Sequence, residues 1–107
     1  MWPVKRPWFP VQAINFQVRK KASQIRLSCR YQGPGTVQFE LIGPKKVYTE
    51  DDLTIGERIT LKLNGATGLQ REKAAALHFK EIEKPEEWTA YLTPRWASIL
   101  QIDLHIE

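Results

Sequence analysis

Apolar and polar side chains alternate with period two in one segment of the chain after another, as in strands that bury a single face. Between Val11 and Arg19, the residues Ile14, Phe16 and Val18 alternate with Asn15, Gln17 and Arg19. From Gln24 to Tyr31 the split is cleaner: Ile25, Leu27, Cys29 and Tyr31 share one face, and Gln24, Arg26, Ser28 and Arg30 the other. Gln32-Gly33-Pro34-Gly35 carries turn chemistry, because glycine reaches positive φ freely and proline presets φ near −65°. A third strand follows with Val37, Phe39 and Leu41 inward. These three strands predict a meander of two hairpins in one sheet.

Gly43-Pro44-Lys45-Lys46 breaks the pattern, and Val47-Tyr48-Thr49 reads as a short edge strand before Glu50-Asp51-Asp52. Alternation returns from Arg58 to Leu63 and closes on Asn64-Gly65, a strong turn signal, with residues 65–68 as an exposed loop. The segment from Leu69 to Lys84 mixes signals. Gln70, Arg71, Glu72, Lys73 and three alanines favour helix, so a short helix is expected around 69–76 and a strand from Ala76 to Glu83. Trp96 to Ile106 alternates throughout, with Trp96, Ser98, Leu100, Ile102, Leu104 and Ile106 on one face of a long terminal strand. Short strands between Gly and Pro turns predict an all-β domain, an antiparallel β-sandwich ahead of a small OB- or SH3-like barrel.

A length of 107 residues suits one core, so residues 11–107 form one expected β domain. Ahead of it stands MWPVKRPWFP, whose three prolines exclude a regular helix and predict an extended Pro/Trp-rich arm over residues 1–10. Those residues lack the apolar core of a secretory signal, and no apolar run is long enough to span a bilayer as a helix. Cys29 is the one cysteine, so neither an intrachain disulfide nor a thiolate zinc cluster can form. A cytoplasmic location follows as the expectation.

Charge divides the chain. The first acidic residue is Glu40; the seven cations before it give +7, and the remaining nine cations against twelve acids give −3. Such an imbalance argues for an anionic partner. Arg26 and Arg30 share a strand face, with Arg19, Lys20 and Lys21 at the adjoining turn. Together with Asn15, Gln17, Ser28 and Gln38 they predict a polar, cationic outer surface able to contact phosphates. The stacking aromatics of a single-strand binder are missing there, since Phe16, Tyr31 and Phe39 point inward.

Catalytic patterns are weak. Cys29 is expected in the core, where an apolar setting leaves a thiol inert, and His78 and His105 read as surface histidines outside any metal-binding spacing. Thr49 and Asp52 read as the cap of a short turn rather than as calcium ligands. No nucleophile elbow, P-loop or dinucleotide fingerprint occurs. The segment from Glu86 to Trp96 reads as aromatic rings capping the ends of the core.

The sequence therefore leads to a non-catalytic domain without a cofactor. It is expected to act as an accessory or assembly subunit docking on a larger protein complex, or on further copies of itself. Trp2, Lys5, Arg6, Trp8 and Phe9 are its partner-binding residues. The alternative is a nucleic-acid-binding module that uses Arg19, Lys20, Lys21, Arg26 and Arg30, and a small hydrolase is the remotest reading.

Overall fold

A computed structural model describes residues 11–62 and 69–107. Its elements are β1 (Gln12–Val18), β2 (Gln24–Gln32), β3 (Thr36–Ile42), β4 (Val47–Tyr48), a 3-10 turn (Glu50–Asp52), β5 (Thr54–Lys62), β6 (Leu69–His78), β7 (Glu86–Arg95) and β8 (Ser98–Ile106). They form two antiparallel four-stranded sheets, β1-β7-β3-β4 and β5-β6-β2-β8. Among the described residues both sheets keep free edges, so the fold is a sandwich and not a closed barrel. The arm over residues 1–10, with Trp2, Lys5, Arg6, Trp8 and Phe9, and the Asn64-Gly65 turn lie outside the described residues.

The meander expected from the first three strands does not form. β1 and β3 flank β7 in one sheet, whereas β2 pairs with β6 and β8 in the other. Lys21, at φ 73°, lies in the link that carries the chain from sheet to sheet. That link is tied down by Lys21 N–H to Ile82 O at 2.9 Å and Ile82 N–H to Ala22 O at 3.2 Å. Gly33, at φ 123°, begins the second crossing. There, Gly35 N–H donates to Trp96 O at 2.9 Å, and a Cβ on Gly35 would fall 1.7 Å from Arg95 O. Alternation reveals which side chains face inward, but not whether a strand's neighbour in sequence is also its neighbour in the ladder.

The inward faces meet as alternation requires. Ile25, Leu27, Cys29 and Tyr31 of β2 oppose Val37, Phe39 and Leu41 of β3 and Ala90 and Leu92 of β7, all essentially without solvent exposure. Trp88 is buried and stacks between Tyr48 and Phe79, with centroids 5.5 and 5.6 Å away, so it does cap the core. Glu86–Arg95 is nevertheless an interior strand of its sheet, despite Pro94. Pro94 lies opposite Val37, whose carbonyl turns the other way to receive Lys73, and β1 begins only at Gln12 opposite Leu92. No ladder bond there needs the missing N–H.

The helix expected around 69–76 is absent: Leu69–His78 is strand throughout. Its inward positions are Arg71, Lys73, Ala75 and Leu77, opposite Tyr31, Cys29, Leu27 and Ile25. Lys73 is 5% exposed, and its ammonium donates to Val37 O and to the Glu50 carboxylate, both at 2.6 Å. The same Glu50 oxygen accepts Phe39 N–H at 2.7 Å. Arg71 donates to Gly33 O and Gly35 O. Because β4 covers only Leu41 and Ile42, the start of β3 is an open edge, and these three side chains take up its backbone groups. Two inward cations thus stand where alternation expects apolar residues. Around the 3-10 turn, Asp52 accepts Thr49 N–H at 3.0 Å, the capping expected from sequence.

A bulge opposite Arg30 and Tyr31 corrects the terminal strand. It brings Ile99, not Leu100, opposite Tyr31, and leaves Leu100 exposed. Trp96 stands before the strand, at φ 57°.

Candidate interaction surfaces

The outer face of the β5-β6-β2-β8 sheet is built in rows fixed by the register. Thr54, Ala76, Arg26 and His105 form one row, Gly56, Ala74, Ser28 and Asp103 the next, and Arg58, Glu72, Arg30 and Gln101 the third. The small side chains of the middle rows leave a shallow depression of ≈ 360 Å³, with Arg26 and His105 on its rim. Arg26 and Arg30 are therefore on one exposed face, as alternation predicts. Arg19, Lys20 and Lys21 lie at the β1–β2 link beside the end of β8, where Arg19 donates to Ile106 O at 2.7 Å. Asn15, Gln17 and Gln38 fall on the other sheet, so the continuous polar surface expected from three adjacent strands is divided between opposite sides of the molecule.

Acids from the second half of the chain fold in among these cations. Arg26 pairs with Glu107 at 3.4 Å, Arg58 with Glu72 at 3.0 Å, and Arg30 donates to Gln101 at 2.8 Å. Asp103 lies between them on the same face. The three arginines of this sheet face are matched by Glu72, Asp103 and Glu107, so the charge division along the chain is largely cancelled in space.

His78 and His105 are exposed on this same face, and His78 lies 3.4 Å from the Gln24 amide. Among the described residues no three of His, Cys, Asp and Glu gather as metal ligands. Cys29 is buried, and burial pushes its thiol up to about 11, with the Lys73 ammonium pulling the other way. A thiol so placed is a core side chain. A further depression is bordered by Gln38, Phe39, Thr49, Glu50 and Tyr91.

Exposed apolar side chains collect elsewhere. Of the five large ones exposed among the described residues, Val11, Ile59, Trp96 and Leu100 lie toward one end of the sandwich. The register fixes that end: β1 starts opposite Leu92, β3 starts opposite Arg95, β2 ends opposite Ser98, and β5 ends opposite Leu69. Trp96 is 62% exposed at its corner, and Ile59, 59% exposed, pairs across the ladder with Arg71. Alternation assigned Trp96 and Leu100 to the core; only the bulge and the left-handed corner turn them out. At the other end Trp88, Tyr48, Phe79 and Ile82 close the core.

No protein-family model matches the chain, and no similar curated protein or solved structure is found.

Proposed function

We propose that this β-sandwich is a non-catalytic docking subunit, which attaches to a larger macromolecular complex through the end that carries Val11, Ile59, Trp96 and Leu100. The observation that carries the reading is Trp96, a large aromatic held out to solvent on a left-handed corner while the other end of the core is sealed by stacked rings. Exposed apolar side chains gathered in one region mark interaction surfaces, and tryptophan is among the residues most often found at binding hot spots. Val11 belongs to this end, so the segment with Trp2, Lys5, Arg6, Trp8 and Phe9 joins the domain there. Proline-stiffened segments lose less entropy on docking.

The test is co-purification from the native source with three chains: the parent, one lacking residues 1–10, and Trp96→Ser. Both altered chains are expected to stay folded by circular dichroism and to lose the parent's partner. Retention of the partner by both, or unfolding of the shortened chain, refutes the reading.

Nucleic-acid binding is the second reading. It is favoured by Arg26 and Arg30 on one exposed face with Arg19, Lys20 and Lys21 near its edge, and weakened by the acids interleaved there. It requires affinity for an oligonucleotide that falls steeply with salt.

A further inference from the structure

The edges of the two sheets are not equally guarded. On one side, Lys73, Glu50 and Arg71 cover the open part of β3. On β5, Glu57 faces inward opposite Lys73 and a bulge interrupts the strand after Ile59. Inward charges and bulges are devices that keep an edge from pairing with another chain. On the other side, β8 runs for nine residues without proline, lysine or arginine, its bulge is confined to its start at Leu100, and among the described residues no strand covers its outer edge. Its inward Ile102, Leu104 and Ile106 are only partly buried, as are Ile14 and Phe16 on β1 above them.

The phase of the ladder identifies which backbone groups of β8 are open. Gln24 and Glu107 exchange both of their N–H···O bonds, at 2.8 and 2.9 Å. In an antiparallel pair such residues alternate, so His105 and Asp103 also turn toward β2, while Ile106, Leu104 and Ile102 turn outward. The Arg19 guanidinium on Ile106 O fits this phase, since it reaches that carbonyl from the open side.

We propose that β8 pairs antiparallel with β8 of a second copy of this chain, about a two-fold axis at Leu104, joining the two β5-β6-β2-β8 sheets into one continuous sheet. In this register Leu104 faces Leu104 of the second copy, and Ile102 faces Ile106, so outward groups meet outward groups. Asp103 faces His105 of the second copy, twice by symmetry, and the carboxylate accepts from an imidazole that has Arg26 as its neighbour on β2. Other centres are worse. An axis at Asp103 sets that carboxylate against itself, and an axis at His105 sets Asp103 against Glu107; like charges directly opposite destabilise a ladder. An axis at Ile102 brings the bulge into the pairing and sets His105 against Ile99. An axis at Ile106 makes the central pair of two Ile106 residues, each with an Arg19 guanidinium already on its carbonyl, and so brings those like charges together. That carbonyl has a second lone pair, so at the Leu104 register Arg19 and the incoming N–H can share it.

Antiparallel pairing sends the two Trp96 ends in opposite directions. The dimer thus leaves the proposed docking end free on both copies, and it stands or falls independently of that reading.

The test is sedimentation velocity of the full chain over a concentration series, with circular dichroism to confirm folding. The parent is expected to dimerise. Asp103→Lys replaces the carboxylate facing His105 of the other copy by an ammonium, twice by symmetry, and should weaken association roughly tenfold or more. Asp103→Lys combined with His105→Glu restores a donor–acceptor pair across the axis and should return the dissociation constant to near the parent value. Leu104→Pro removes an outward N–H that no described residue of the monomer accepts, and should abolish the dimer. Hydrogen exchange on the parent covers the case of a variant that does not fold: the Ile102 and Leu104 amides should slow as concentration rises, while that of Asp103 stays unchanged. A parent monomeric at every concentration overturns the proposal. So does a dimer indifferent to Asp103→Lys and Leu104→Pro, a charge exchange that fails to restore association, or Ile102 and Leu104 amides whose exchange ignores concentration.

Discussion

Replacing Lys73 by Met tests what holds the open edge of β3. The substitution keeps the length and apolar stem of the side chain and deletes its ammonium, which donates to Val37 O and Glu50. An orphaned buried carbonyl costs about 1–3 kcal/mol. Breaking a fully buried ion pair costs about 3–5 kcal/mol, but the Glu50 side chain is 30% exposed and keeps Phe39 N–H, so its share is smaller. The expected total is about 3 kcal/mol. In urea, where a chain of this size has a slope on the order of 1–1.5 kcal/mol/M, that lowers the midpoint by about 2–3 M. Glu50→Gln keeps an oxygen that can accept from both Phe39 N–H and Lys73 and removes the negative charge opposite the ammonium. Combining the two substitutions removes both charges together and should cost about 1.5–2 kcal/mol less than the sum of the singles. A Lys73→Met loss below about 1 kcal/mol, or strict additivity in the cycle, would show that water serves this edge as well as Lys73 does.

Glycine at two positions should respond oppositely in the same unfolding assay. Gly35→Ala drives a Cβ into the Arg95 carbonyl and should cost about 3 kcal/mol or more, whereas Gly56→Ala meets nothing within 4 Å and should fall within about 0.5 kcal/mol of the parent. Cys29 should resist a thiol-reactive disulfide near pH 8 until the chain is unfolded, because its thiol is buried and pushed up to about 11 from an ordinary 9.0. The folded chain keeps a proton that the unfolded chain releases first. The stability Cys29 contributes is therefore complete below about pH 9 and lost as pH rises through about 11, and Cys29→Ala should flatten the fall in that window relative to the parent. Arg26→Glu with Arg30→Glu should abolish any salt-sensitive oligonucleotide affinity measured by fluorescence anisotropy; unchanged affinity removes the phosphate reading of that face.

Some features of this protein were legible residue by residue because they depend on the pleat alone. A pleated strand turns successive side chains to opposite faces, so Ile25, Leu27, Cys29 and Tyr31 had to share a buried face, and Arg26 and Arg30 an exposed one. Class and the approximate bounds of β1, β2 and β3 followed from the same rule and from the Gly and Pro turns, whereas the strand expected at Ala76–Glu83 lies instead at Leu69–His78 and the interior strand Glu86–Arg95 was not expected. The helix expected around 69–76 failed because Arg71 and Lys73 occupy inward positions. Their polar heads donate to the Gly33, Gly35 and Val37 carbonyls and to Glu50, groups remote in sequence. The phase of β8 failed at one bulge, and one residue suffices to exchange the faces of everything before it.

The candidate surfaces belong to the tertiary structure. The sequence by itself determined that cations precede acids along the chain. Sheet assignment then returned Glu72, Asp103 and Glu107 to the face of Arg26, Arg30 and Arg58, because strands pair across long separations and charge is felt through space. It also decided that Trp88 is buried while Trp96, eight residues later, is not: Trp88 stacks between rings from β4 and the β6–β7 link, whereas Trp96 stands on a corner forced outward by the glycine turn beside it. Alternation determines whether a side chain leaves its strand toward the core. Which strands lie beside it, and so what it meets there, depends on ladder partners that no local pattern encodes.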